Sequence, residues 1–177
     1  MRIIAGQLGG RVFEAPRGHR THPMSDKMRG ALFNSLGDIE GLDVLDAFAG
    51  SGALAFEALS RGATEALLIE QDKPAQVTIR QNIEQLGLQN NARLVRAGIA
   101  AWLSTNTDAK FDIILCDPPY NDLRPELLKK LSKCLNPNGT FVLSWPGKLD
   151  VPNFKSLKQI TQHNYGDGQL VFYRQIT

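Results

Sequence analysis

Apolar positions along the chain fall into two rhythms that take turns. Short runs rich in β-branched and aromatic residues, at 42–46, 66–70, 92–97, 111–117 and 140–145, read as buried strands. Between them, apolar residues recur at helical spacing. Met28, Ala31, Leu32 and Leu36 mark one helix, capped by Ser25 or Asp26 and closed by Gly37, and further helices are expected at about 53–60, 73–86, 99–103 and 125–135. Gly62 and Gly87 stop two of them, and Asn136-Pro137-Asn138-Gly139 is a strong turn signal. Two more strands, 157–163 and 169–174, flank Gly166-Asp167-Gly168, a turn that makes the last pair antiparallel. Strands alternating with helices imply right-handed crossovers and a sheet covered on both faces. The expected fold is α/β: a doubly wound, mostly parallel seven-stranded sheet of Rossmann-like type with the last strand antiparallel. Residues 1–24 form an N-terminal β-hairpin arm on a 25–177 domain. Having few large apolar residues, the arm is expected to pack lightly on the surface.

At 177 residues with 42% hydrophobic and 21% charged content, the chain has the composition of a soluble globular domain. The overall charge of +2 demands no polyanionic partner, but its distribution is uneven. Residues 1–29 carry Arg2, Arg11, Arg17, Arg20, Lys27 and Arg29 against Glu14 and Asp26, a net +4, which leaves −2 for the remainder. A basic arm on a mildly acidic body suggests contact with nucleic acid. Two widely spaced cysteines, Cys116 and Cys134, argue against a metal site or a disulfide framework. No run fits a signal peptide or a membrane span, so a cytoplasmic location is expected.

Two constellations carry chemistry. After the apolar run that ends at Cys116 comes Asp117-Pro118-Pro119-Tyr120. Neither proline can donate to a strand ladder, and each stiffens the backbone, so the strand stops abruptly and the corner is held rigidly. The Asp117 carboxylate and a backbone carbonyl can accept the two N–H groups of a planar amine, and Tyr120 offers a face on which a flat ring stacks. The second constellation is Gly50-Ser51-Gly52, between the first core strand and its helix, where small residues let the backbone approach a ligand. Glu70, ending the next strand, can accept both hydroxyls of a ribose. Asp46, just before the loop, suits a ligand bearing an ammonium or sulfonium group and fits a diphosphate poorly. The loop also lacks a P-loop lysine. Together these favour S-adenosylmethionine over NAD.

With 44–52, Glu70 and Asp117-Pro118-Pro119-Tyr120 in that order, the chain resembles class I S-adenosylmethionine-dependent methyltransferases that act on amines. More narrowly it resembles the RsmD family, on Met1-Arg2-Ile3-Ile4-Ala5-Gly6, Gly10-Arg11, Arg29-Gly30-Ala31-Leu32-Phe33-Asn34, Phe48-Ala49-Gly50-Ser51-Gly52-Ala53-Leu54, 57–63 and the tail's Tyr165-Gly166 and Tyr173-Arg174. The resemblance implies methylation of the exocyclic N2 amine of a guanine in bacterial small-subunit (16S) ribosomal RNA, free or in assembling subunits, by a monomer that needs no metal or membrane. It implies a catalytic set of Asp117, Pro118, Pro119 and Tyr120, and cofactor contacts from Asp46, Phe48, Gly50, Ser51, Gly52, Glu70, Gln71, Gly98 and Ile99. RNA contacts are expected from Arg2, Arg11, Arg17, Arg20, Lys27 and Arg29. Some positions depart from the family pattern. Gly98 stands where an aspartate commonly binds the adenine amine, leaving that contact to backbone N–H groups near Gly98 and Ile99, and Ser144 replaces a common acid in the fifth strand. An N6-adenine methyltransferase and an inactive ribosome-assembly RNA-binding factor are the alternatives.

Overall fold

The computed structural model describes residues 1–16 and 23–175, so Arg17 and Arg20 lie outside the described residues. Helix α1 (Asp26–Leu36) precedes β1 (Asp43–Asp46), α2 (Ala53–Ser60), β2 (Glu65–Glu70), α3 (Lys73–Leu86), β3 (Ala92–Arg96), α4 (Ile99–Thr105) and β4 (Phe111–Cys116). Then come α5 (Pro125–Leu131), β5 (Leu135–Pro146), β6 (Leu157–Tyr165) and β7 (Gly168–Gln175). The strands make one seven-stranded sheet in the order β3-β2-β1-β4-β5-β7-β6. β1 to β5 pair in parallel, and β7 runs antiparallel to both β5 and β6.

The period-2 pleat sorts apolar side chains onto the two faces. Val44, Ile113, Leu115, Val142, Leu170 and Phe172 join one core with α1, α2 and α3. Their neighbours in sequence, Leu45, Ile114, Cys116, Leu143, Val171 and Tyr173, join the other with α4 and α5. A stretch of strand buried on both faces favours apolar residues throughout, which is why 113–116 of β4 and 170–173 of β7 read as continuous runs.

Local signals set most helix ends. Ser25 caps α1 by accepting the Met28 amide at 3.2 Å, Asp72 caps α3 by accepting the Ala75 amide at 3.0 Å, and Gly87 closes α3 in the left-handed conformation. At 136–139 the expected turn falls instead inside β5. Phe111 pairs with Leu135 but Ile113 pairs with Thr140, so the extra residues bulge out of the ladder. Asn138 takes a φ of 63° there, and Asn136 donates to Asp112 at 2.9 Å. The turn chemistry operates locally while the flanking residues keep their partner on β4. Helix α5 correspondingly stops at Leu131, followed by a single 3-10 turn, Ser132–Cys134.

The N-terminal arm differs from expectation. Its hairpin is a single bridge, Arg2 to Val12, rather than two strands. It does not pack lightly, because Ile3 and Phe13 are each only 1% exposed and belong to the core, with Phe13 edge-on to Phe56 at 5.3 Å. The fully buried Glu57 carboxylate on α2 accepts the Ile4 and Ala5 amides at 2.8 and 3.1 Å, and Ser60 Oγ accepts the Leu8 amide at 2.9 Å. A few well-placed apolar side chains and a buried acid thus dock a segment of modest hydrophobicity.

Candidate active site

The sheet order reverses between β1 and β4, since β1 leads outward to β2 and β3 while β4 returns to its other side. Ligands of open α/β sheets bind at the carboxyl ends of strands beside such a reversal. There Asp46 stands opposite Leu115, and the Ala47 amide donates to the Leu115 carbonyl at 3.0 Å. The glycine loop after β1 and the Asp-Pro-Pro-Tyr corner after β4 therefore open side by side into one cleft of about 1490 Å³. Phe48, Gly50, Ser51, Glu70, Gln71, Gly98 and Ile99 line one part of it, and Asp117, Pro118, Pro119 and Tyr120 another. Asp46 and Gly52 are not on its surface, and neither are Arg2 and Arg11.

On the glycine-loop side the carboxylates are held by backbone amides. Glu70 Oε2 accepts the Gly50 amide and Oε1 accepts the Asp72 amide, both at 2.7 Å. A carboxylate has about four lone-pair sites, so Glu70 keeps capacity for ribose hydroxyls. Asp46 is fully buried under the loop, with Oδ2 accepting the Ala55 amide of α2 at 3.2 Å. Its Oδ1 has no hydrogen-bond partner among the described residues. Burial, reinforced by the charges of Asp117 and Glu70, pushes the Asp46 carboxyl up to about 7 against the pull of the Ala55 amide. Glu70 and Asp72 line the cleft beside the loop with Asp46 beneath, acids that suit a cationic ligand carrying a ribose, and Lys27, Arg29 and Arg124 line the same cleft. Gly52 serves the fold: it sits at φ +81°, and a Cβ there would stand 2.7 Å from the Phe56 ring. A Cβ at Gly98 would stand 3.0 Å from Gln71 Oε1, so the missing side chain leaves room for Gln71 at the cleft wall.

The opposite side is held by side chains. Burial raises the Asp117 carboxyl above its usual range, and the polar influence of the Ser144 hydroxyl offsets this only in part. Tyr120 is 40% exposed, with its hydroxyl 3.0 Å from Ser144 Oγ and donating to the Trp145 carbonyl at 3.2 Å. The ring is thus pinned at its tip to β5 while its body remains open to the cleft. The Asp122 amide takes the Pro119 carbonyl at 2.9 Å, whereas among the described residues no backbone amide is bonded to the carbonyl of Pro118. Sequence reasoning did not place the rest of this wall, which comes from Met28 of α1 and its cap Ser25, the 121–124 loop and the β6–β7 turn around Asp167. A Cβ at Gly168 would reach within 2.7 Å of the Tyr120 hydroxyl, so this glycine lets the turn close on the corner. The Gly-Asp-Gly pattern gave the turn but not its destination.

Of the expected RNA contacts, Arg2, Arg11 and Lys27 are exposed, and Lys27 lines the cleft. Arg29 is a correction. Its side chain is only 1% exposed, with Nη2 donating to Asp26 at 2.8 Å and to the Arg2 carbonyl at 2.7 Å, and Nε 3.8 Å from Glu57. Its position on the inner face of α1 turns the guanidinium toward the arm and α2, where it ties those elements together instead of facing solvent.

Residues 1–174 match the family described as Conserved hypothetical protein 95. YlbH of Bacillus subtilis, described as a candidate rRNA methyltransferase, is 31% identical over 98% of this chain and 98% of its own. The ribosomal RNA small subunit methyltransferase D of Escherichia coli K12 is 38% identical over 78% of this chain and 68% of its own. A tRNA1(Val) (adenine(37)-N6)-methyltransferase of Shewanella putrefaciens is 31% identical over 58% of this chain and 52% of its own. Among solved structures, Escherichia coli YhhF, described as a candidate methyltransferase, superposes with a TM-score of 0.88 at 31% identity, covering 99% of this chain and 97% of that one.

Proposed function

The chain belongs to the family described as Conserved hypothetical protein 95, the RsmD family, and on that premise we propose that it transfers a methyl group to the exocyclic N2 amine of a guanine in small-subunit ribosomal RNA. It is a methyltransferase of Rossmann-like fold, and in this reading S-adenosylmethionine is the methyl donor. The observation that carries the reading is the shared cleft. An amine-holding corner, Asp117 to Tyr120, opens beside a glycine loop floored by acids, with Asp46 Oδ1 left without a partner under the loop.

The bound cofactor supplies an electrophilic methyl carried on a sulfonium. Glu70 would hold its ribose hydroxyls, Asp46 would favour its positive charge through the loop, and backbone at Gly98 and Ile99 would meet its adenine. The amine of guanine is a poor nucleophile because its lone pair is delocalised into the ring. Asp117 and the Pro118 carbonyl accept the two N–H groups and hold the lone pair at the methyl. Fixing two reactants in this way is worth up to about 7–11 kcal/mol. Tyr120 stacks on the base, a contact worth about 1–3 kcal/mol. Because its amine is engaged in pairing, the guanine must be unpaired or flipped out, which favours loops of folded RNA. Arg2, Arg11 and Lys27, with Arg17 and Arg20, would bind phosphates and weaken with salt.

An adenine N6 amine presents the same pair of N–H groups, and the likeness to the tRNA (adenine-N6)-methyltransferase keeps that second reading in view. Incubation with labelled S-adenosylmethionine and separately purified small-subunit RNA, assembled small subunits, transfer RNA and DNA tests the proposal. Label in small-subunit RNA, free or assembled, is expected; label confined to transfer RNA or DNA would refute it.

A further inference from the structure

Directly after the Asp117–Tyr120 corner the backbone takes a strained turn into α5. The Asp122 amide donates to the Pro119 carbonyl at 2.9 Å, closing a turn over 119–122. Arg124 then sits at φ 42° and ψ 67°, in the left-handed region, immediately before Pro125. Glycine is the ordinary occupant of that region, and a residue before proline is normally extended. The helix that follows holds Arg124 there, because its carbonyl accepts the Leu127 amide at 2.9 Å and the Leu128 amide at 3.3 Å, and Leu128 is fully buried in the core. A strained residue kept in a cleft wall points to a role for its side chain.

That side chain lines the cleft and is 57% exposed, with Asp122 gripping it at two points: Nε donates to Oδ1 at 2.7 Å, and Nη2 lies 2.6 Å from Oδ2. A guanidinium offers the same two-pronged grip to a phosphate. An ion pair this open to water holds weakly, so an incoming phosphate can displace Asp122. Among the described residues lining the cleft, Lys27 and Arg124 are the cations left facing solvent, since Arg29 is turned inward. Lys27 comes from α1, in the helix layer on one face of the sheet, and Arg124 from the start of α5, in the layer on the other. A nucleotide within a strand carries a phosphate on each side of its base, and the two cations flank the base side of the cleft in the same way.

We propose that Arg124 binds a backbone phosphate of the substrate RNA next to the methylated nucleotide, and that Asp122 occupies the guanidinium until that phosphate replaces it. The inference rests on the RNA amine-methylation reading for the identity of the phosphate. The contact positions the RNA and reads no base. It accounts for the arginine at a backbone position that favours glycine, and for a counter-ion two residues away that water already weakens.

The test is the binding of purified small-subunit RNA, over a series of salt concentrations, by the parent, Arg124→Gln, Arg124→Gly, Asp122→Asn and the variant carrying both Asp122→Asn and Arg124→Gln. Arg124→Gln should weaken binding about tenfold at low salt and reduce the slope of log affinity against log salt by about one, with cofactor affinity unchanged. Arg124→Gly, which suits the left-handed backbone, should weaken RNA binding to the same extent and keep Tm at or above that of the parent, which separates the side chain's role from the fold. Asp122→Asn should tighten RNA binding by up to about fivefold, and the gain should vanish when Arg124 is also replaced. An unmoved salt slope in Arg124→Gln overturns the proposal. An Asp122→Asn gain of the same size with and without Arg124 overturns the exchange of partners. A parent protein that transfers no methyl group to RNA, while Arg124→Gln still loses salt-dependent binding, would refute the amine-methylation reading and leave Arg124 as a phosphate contact.

Discussion

The two sides of the cleft are built from different bonds. On the cofactor side, acids at strand ends accept amides from nearby residues: Gly50 and Asp72 on Glu70, Ala55 on Asp46. On the base side, the Tyr120 hydroxyl meets distant parts of the chain: the Ser144 hydroxyl, the Trp145 carbonyl and the β6–β7 turn at Gly168. A backbone amide supplies its donor whatever the side chain, so the cofactor side tolerates sequence change once the glycines and acids are present. The base side depends on the identity of particular hydroxyls. Variation in what the enzyme methylates is therefore expected there.

Substitutions on each side should separate the two functions. Asp117→Ala should lower methyl transfer by about a thousandfold or more, within what positioning can supply, and leave cofactor affinity by calorimetry within about twofold. Comparable loss of both would erase the distinction between the sides. Glu70→Ala should raise the cofactor dissociation constant about a hundredfold, the scale of hydrogen bonds to a charged group, with RNA affinity unchanged. Tyr120→Ala should weaken the KM for RNA about tenfold, in line with one lost stack, at constant cofactor affinity.

Asp46→Asn gives the smallest effect and the most diagnostic one. With its folded value at about 7, Asp46 is half protonated near neutrality, and a cation bound above the loop favours the ionised form. Cofactor affinity in the parent should therefore strengthen about fivefold between pH 6 and pH 8, and this dependence should flatten in Asp46→Asn. The stability effect has the opposite sense. Because the folded value lies above the ordinary 3.8, folding favours the protonated acid, and the contribution is lost as pH rises through about 7. Asp46→Asn should then be more stable at pH 8 by about 2 kcal/mol, read as a higher Tm.

What could be read from the sequence follows the same division. The strand runs, the glycine loop, Glu70 and Asp117 to Tyr120 are contiguous patterns, and the structure gathers nearly all of them at the β1–β4 reversal. Asp46 and Gly52 came as cofactor contacts and turn out to lie beneath the surface, because a strand end and a helix entry need buried groups of the same types. Arg29 was counted with the basic arm, but helical spacing places it beside buried Met28 and Leu32 and turns its charge inward. Nothing local marks Asp167 or Ser25 as cleft walls, since their place is set by the crossing of distant elements. The bulge at 136–139 misled for a related reason: a turn signal does not reveal whether the chain leaves the ladder or rejoins it.

The central claim is that the corner at Asp117 presents a guanine N2 amine. It is tested most directly by digesting RNA labelled by the parent protein to nucleosides and identifying the one that carries the methyl group. Label in N2-methylguanosine, absent when Asp117→Ala is used, is the expected result. Label in N6-methyladenosine, or undiminished N2-methylguanosine from Asp117→Ala, would contradict the account.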